Sequence, residues 1–119
     1  MFGNDTLLVS SDAEVHSVQF TATGGCGAPP CTNWTQALGA AASPVLFIPG
    51  TSNVFVGAGN GIFWELTINV TAPSVSPTLR TWSISPSSGL GGPAFSISQL
   101  TLYVSDSSGK VHGIPWPIP

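Results

Sequence analysis

The chain has 119 residues, of which 6% are charged and 42% hydrophobic, and its formal net charge is −3. Disordered chains are highly charged and poor in apolar residues, so this composition predicts a folded chain. Lys and Arg together number only 2, which excludes a nucleic-acid-binding protein, and every apolar run is far shorter than the ~20 residues of a membrane span.

Many turn-forming residues and few helix-forming residues predict an all-β chain. The sequence has 14 Gly and 11 Pro, whereas Glu, Lys, Arg and Gln are scarce. Val9, Val56 and Val104 lie at matching points of three similar segments, which gives a repeat of roughly 48 residues. The predicted elements in chain order are a hairpin over 6–10 and 14–20, a loop over 24–30, strands over 32–36, 43–48, 54–57 and 62–68, a loop over 71–78, and strands over 80–84, 92–97, 100–104 and 110–114.

The two cysteines, Cys26 and Cys31, flank a loop of turn-forming residues. Four residues separate them, instead of the two that are typical of a redox motif or a zinc knuckle, and nothing nearby supplies two further metal ligands. Gly27 and Pro29-Pro30 favour a loop that folds back on itself. We predict a local disulfide formed in an oxidising compartment, and the alternative is two unpaired thiols in a loop.

Other features bear on processing of the chain. Asn4, Asn33 and Asn69 each begin an Asn-x-Ser/Thr triplet, which is a glycan acceptor in a eukaryotic secreted protein but also arises by chance in Ser/Thr-rich sequence. The first residues lack the basic start and apolar core of a signal peptide. We therefore expect either a piece of a longer secreted protein or a chain whose export signal has been removed.

Two segments carry a resemblance to a known family. Residues 54–63 read Val-Phe-Val-Gly-Ala-Gly-Asn-Gly-Ile-Phe, and residues 104–112 read Val-Ser-Asp-Ser-Ser-Gly-Lys-Val-His. Both resemble the repeat of quinoprotein-type (PQQ-like) β-propellers, the second more closely through its length and its Gly-Lys-Val return. The Cys26–Cys31 loop that runs into Trp34 also resembles an insert common in secreted bacterial members.

The resemblance implies four-stranded antiparallel blades of an incomplete propeller. Residues 1–23 would end one blade, 31–70 would form a second and 79–119 a third. The structural repeat positions would be Trp34, Trp82, Gly57, Gly61 and Gly109, with the two tryptophans packed between blades.

The resemblance does not extend to a cofactor. The chain lacks the adjacent-cysteine pair of quinone-dependent dehydrogenases and any convincing set of calcium-binding acids. No Gly-x-Ser-x-Gly elbow is present, and no His lies near a credible nucleophile and acid. We therefore expect no catalytic, cofactor-binding or metal-binding residues.

The histidines are the most tempting candidates for chemistry. His16 and His112 follow a valine at the same point of two repeats, where the middle repeat has Phe63. A position that accepts His and Phe favours packing of a flat ring over metal binding. Asp12 and Glu14 would share a strand face with His16, but matching turns in the other repeats predict a solvated turn there.

These observations favour a non-catalytic scaffold or binding module of a secreted, periplasmic or cell-surface protein, with an unknown protein or glycan as its partner. The alternative is a fragment of a quinone-dependent dehydrogenase whose catalytic blades are absent from this chain. A third hypothesis is a homo-oligomer, in which identical chains complete the ring of blades. Each unit of a repeat array buries its faces against its neighbours, so the chain by itself leaves two open faces to be covered.

Overall fold

A computed structural model describes residues 6–20, 27–48, 50–68, 76–84 and 88–116. Within these residues the chain is all-β, as the composition predicted, and no helix is present that is long and apolar enough to cross a membrane. The strands are β1 Thr6–Ser11, β2 Glu14–Gln19, β3 Cys31–Ala37, β4 Leu46–Phe47, β5 Asn53–Gly57, β6 Ile62–Thr67, β7 Thr78–Ser83, β8 Ala94–Ser96, β9 Thr101–Ser105 and β10 Val111–Pro115.

The strands form three small antiparallel sheets. The first sheet is β1–β2–β3, the middle sheet is β4–β5–β6–β7 and the third sheet is β8–β9–β10. Each strand pairs only with strands adjacent to it in the chain, so each sheet is a meander built from consecutive hairpins.

The hairpin turns use residues that tolerate a positive φ. Gly61 in the β5–β6 turn has a φ of 82°, and Gly109 in the β9–β10 turn has a φ of 92°. Side chains are strained in this region, and glycine is not. The β1–β2 turn is shorter because Ser11 pairs directly with Glu14, and Asp12 in that turn has a φ of 44°.

The hydrogen bonds group the strands differently from the predicted blades. β3 was predicted to open the second blade, but it pairs with β2 and completes the first sheet. In the same way β7 pairs with β6 and completes the middle sheet. Each of these strands runs antiparallel to the second strand of the hairpin before it. Residues 38–45, which are mostly small, then connect β3 to the middle sheet. One sheet therefore contains strands from two sequence repeats.

The middle sheet is covered on both faces, by the first sheet on one side and the third sheet on the other. The buried residues between the first and middle sheets are Leu8, Val15, Trp34, Leu38, Val54, Val56, Ala58 and Leu66. Those between the middle and third sheets are Ile48, Phe55, Phe63, Leu90, Leu102 and Val104. The fold is thus a stack of three sheets held together by two apolar layers.

The strand registers match the three sheets residue by residue. The matched pairs are Val9 with His16, Val56 with Trp64, and Val104 with His112. Trp64, and not Phe63, therefore occupies the position of the two histidines. The prediction of Phe63 at this position was wrong by one residue, because the β5–β6 turn is one residue longer than the β1–β2 turn.

The matched positions define two faces of each sheet. The leading face carries Leu7 and Val9 in the first sheet, Val54 and Val56 in the middle sheet, and Leu102 and Val104 in the third. The trailing face carries Leu8 and Val15, then Phe55 and Phe63, then Tyr103 and Val111. In both layers of the stack, the trailing face of one sheet packs on the leading face of the next.

Candidate functional site

The β9–β10 turn of the third sheet holds the densest polar cluster near a cavity. Asp106 Oδ1 accepts hydrogen bonds from Ser108 N at 2.9 Å, Ser108 Oγ at 2.5 Å and Lys110 N at 3.2 Å. Asp106 Oδ2 lies 2.7 Å from Nε2 of His112. The carboxylate is buried, and every one of these partners belongs to its own hairpin. The cluster therefore clamps the turn.

The electrostatics of this turn favour an ionised Asp106. The hydrogen bond from the Ser108 side chain, followed by that of His112, holds the pKa of the Asp106 carboxyl well below its usual range. Hydrogen bonds to a carboxylate stabilise its charged form. A carboxylate that stays ionised and fully bonded is a poor general base, so the geometry points to a structural role for Asp106.

A cavity of about 360 Å³ lies beside this clamp. Its lining consists of Gly89, Leu90, Gly91, Ser105, Asp106 and Ser107. The walls are tied together by hydrogen bonds from Gly91 N to Ser105 O at 2.8 Å and from Gly89 N to Ser107 Oγ at 3.1 Å. The lining offers the hydroxyls of Ser105 and Ser107, the apolar side chain of Leu90 and the bonded carboxylate of Asp106, with no cationic side chain, so its chemistry disfavours an anionic ligand.

His16, in the first sheet, makes a separate set of contacts. Its Nε2 lies 3.0 Å from Ser11 Oγ, and its Nδ1 lies 3.0 Å from Thr35 Oγ1. Glu14 Oε1 is 3.8 Å from Nε2, so Glu14 and His16 do share a face of β2, while Asp12 lies in the turn. Both ring nitrogens are thus occupied by neighbouring strands, and among the described residues no group of three or more His, Cys, Asp or Glu side chains is placed to hold a metal ion.

The two tryptophans predicted as repeat positions lie in different layers of the stack. Trp34 is fully buried between the first and middle sheets, and Trp82 packs against the layer between the middle and third sheets, 6.2 Å from the Phe63 ring. Their strands are equivalent, but their positions are not. Trp34 pairs with Ser17 and Trp82 pairs with Phe63, which places them two residues apart in register. The chain between the paired strands is longer in the first sheet, and this difference was not visible in the spacing of the tryptophans.

The glycines predicted as repeat positions have distinct roles. Gly61 and Gly109 each lie in a hairpin turn and have a positive φ. Gly57 ends β5, where a Cβ atom would lie 2.7 Å from both Gly91 O and Leu90 Cβ. Only a residue without a side chain therefore allows this close approach of the middle and third sheets.

The predicted disulfide and two of the three sequons involve residues outside the described part of the chain. Cys26, Asn4 and Asn69 are not among the described residues, so the Cys26–Cys31 pairing and those two glycan sites stay predictions. Asn33 is described and is only 7% exposed, with its Nδ2 donating to Ser17 Oγ at 3.4 Å. The folded first sheet does not present Asn33 to a glycan.

The middle sheet contains a buried carboxylate that the sequence did not predict. Glu65 is 5% exposed, and its Oε2 accepts a 2.6 Å hydrogen bond from Asn53 Nδ2. Arg80 Nε lies 3.6 Å from Oε1, and the guanidinium carbon lies 5.9 Å from the Trp82 ring centre. A Glu in an otherwise apolar strand was the available signal, but its link to Arg80 depends on the β6–β7 pairing. The cluster fixes β7 to the edge of the sheet.

No protein-family model, curated protein or solved structure matches the chain. The resemblance to propeller repeats therefore depends on the chain's own motifs and stays a prediction.

Proposed function

We propose that this chain is a stack of PQQ-like β-propeller blades that serves as a non-catalytic scaffold and binding module of a secreted, periplasmic or cell-surface protein. The observation that carries the proposal is the repeated stacking of a trailing face on a leading face at matched register positions. Repeat units that bury their faces only against neighbours are typical of propellers and other arrays.

The burial of the middle sheet favours blades over a β-sandwich. In a sandwich, each sheet has one inner face and one solvated face. Here Val54 and Val56 on one face, and Phe55 and Phe63 on the other, are all fully buried. A four-stranded meander covered on both sides is what a blade inside a propeller requires.

The contacts of the titratable groups support a non-catalytic role. Asp106 is bonded to its own turn, and both ring nitrogens of His16 contact hydroxyl groups. These contacts order the hairpins that present a surface. A serine–histidine–acid arrangement needs a carboxylate on Nδ1 of the histidine, whereas Nδ1 of His16 contacts the Thr35 hydroxyl. Binding is therefore the function that these residues support best.

The cavity beside Asp106 is the binding site that we propose. It is a shallow depression of about 360 Å³ that opens widely to solvent, so it would cover one side of a ligand. The hydroxyls of Ser105 and Ser107 suit the hydroxyl groups of a neutral glycan. The net charge of −3 disfavours acidic ligands.

A glycan array probed with the labelled chain tests this proposal. We expect binding to neutral glycans, and loss of that binding in Ser107→Trp, whose side chain would fill the cavity. Thr32→Trp is the matched control, because Thr32 is exposed on β3 and lies outside the cavity lining. Equal binding by both variants would remove the cavity as the site, and silence across neutral and acidic glycans would leave a protein partner to be sought.

The alternative is a fragment of a quinone-dependent dehydrogenase. It predicts that the full-length protein takes up the quinone together with calcium and then reduces a dye with alcohols as electron donors. Uptake followed by dye reduction would replace the proposed binding role with an enzymatic one.

The proposed location predicts the Cys26–Cys31 disulfide. Bonds of this kind persist in oxidising compartments. Intact mass after alkylation should show no modified thiol without reductant and two modified thiols after reduction. Two alkylated cysteines in the protein isolated without reductant would argue against both the bond and the location.

A further inference from the structure

Among the described residues, two sheet faces in the stack are more exposed than their counterparts. On the leading face of the first sheet, Leu7 and Val9 are 37% and 38% exposed, whereas their matches Val54 and Val56 are 0% exposed. On the trailing face of the third sheet, Val111 is 68% exposed. Its matches in the other two sheets are Val15 and Phe63, both 0% exposed. Within the described residues, each end of the stack therefore exposes apolar side chains at positions that are buried inside the stack.

The two open faces are of opposite types. The first sheet exposes a leading face, and the third sheet exposes a trailing face. In both layers inside the chain, a trailing face packs on a leading face. A leading face requires a trailing face, and the same chain carries one at its other end.

We propose that the chain associates with a second copy of itself, head to tail, with the trailing face of the third sheet packed on the leading face of the partner's first sheet. This joint repeats the layers already present inside the chain, with Tyr103 and Val111 in the places of Phe55 and Phe63. It goes beyond ligand binding at the Asp106 cavity and does not depend on it.

Shape and charge are consistent with this joint. Gly113 lies on the third sheet's open face, and the atoms nearest to a Cβ placed there would be those of Tyr103 and Thr101, at 3.5 Å or more. Glu14 lies on the open face of the first sheet, and Lys110 lies in the turn that borders the open face of the third. The acid and the base give the joint opposite charges. Such a heterologous contact forms a ring when its rotation closes and a filament when it does not.

The test is sedimentation velocity of the purified chain over a range of concentrations, with two face variants. Val9→Glu alters only the leading face and Val111→Glu only the trailing face. We expect the unaltered chain to self-associate, and each variant to raise the dissociation constant by about tenfold or more, since each places a charge in an apolar layer. Ile97→Glu is the matched control, because Ile97 is 75% exposed in the β8–β9 turn, outside both faces.

Mixing the two variants separates head-to-tail association from any other kind. A Val9→Glu chain keeps its trailing face, and a Val111→Glu chain keeps its leading face, so the mixture should form a discrete dimer that cannot grow. Circular dichroism verifies that each variant is folded, and the highly exposed Val111 makes that variant the safer of the two. A monomeric unaltered chain would overturn the proposal, and so would variants that still associate alone or fail to pair when mixed.

Discussion

Phe63 and Val111 occupy the same register position in two sheets, but only one of them is covered. Phe63 is 0% exposed, lies 5.7 Å from the Phe55 ring and packs against the third sheet. Val111 is 68% exposed. Truncating a buried Phe to Ala leaves a cavity and removes ring contacts, which costs about 3–5 kcal/mol. We expect Phe63→Ala to lower the free energy of unfolding by that amount and Val111→Ala to change it by less than about 0.5 kcal/mol.

Urea unfolding, followed by circular dichroism in dilute protein, measures both variants. With a slope of about 1–3 kcal/mol per molar urea, Phe63→Ala should lower the midpoint by roughly 2 M. Dilution keeps self-association out of the comparison. If Phe63→Ala loses less than about 1 kcal/mol, or if the two variants lose equal amounts, then the third sheet does not cover the middle sheet in solution and the stacking argument is refuted.

Three further predictions concern packing, pH and a buried carboxylate. Gly57→Ala should cost about 1–3 kcal/mol, because its Cβ would lie 2.7 Å from Gly91 O, while Gly27→Ala, with no atom within 4 Å, should be nearly neutral in the same urea assay. Because the pKa of Asp106 is lowered by folding, its contribution is complete above its unfolded pKa of about 4 and is lost as pH falls below it; Asp106→Asn should flatten the acid side of a stability–pH curve, and an unchanged curve would contradict the clamp. Glu65→Ala leaves the partly buried amide donor of Asn53 without its acceptor and should cost about 1–3 kcal/mol in thermal unfolding, whereas full stability would show that the carboxylate is dispensable.

The strands were the part of the fold that the sequence could predict. Alternating apolar residues and turn signals such as Asn60-Gly61 are local, and the observed strands fall within a few residues of the predicted ones. Strand pairing is not local. Nothing near β3 in the sequence indicates that it closes the sheet before it, because that choice depends on which hairpin edge is free in the folded chain.

Register was the second limit, and it also limited the candidate site. A turn longer by one residue exchanged Phe63 for Trp64 at the histidine position. The Asp106 turn was read from its motif, but the contact with His112 requires the β9–β10 register. Likewise, the cavity forms because Leu90 and Gly91 lie beside the end of β9. The spacing of residues in the sequence does not indicate this contact.

The sharing of strands between repeats has a consequence for how the chain unfolds. Because β7 belongs to the third sequence repeat but is hydrogen-bonded to the middle sheet, that repeat cannot detach without stripping an edge from its neighbour. The same holds for β3 and the first sheet. Neighbouring repeats are therefore coupled by these hydrogen bonds as well as by the apolar layers. In repeat proteins, the strength of such coupling sets how many units unfold together. Because the first and middle sheets each contain strands from two sequence repeats, the whole stack, and not the single repeat, is the cooperative unit.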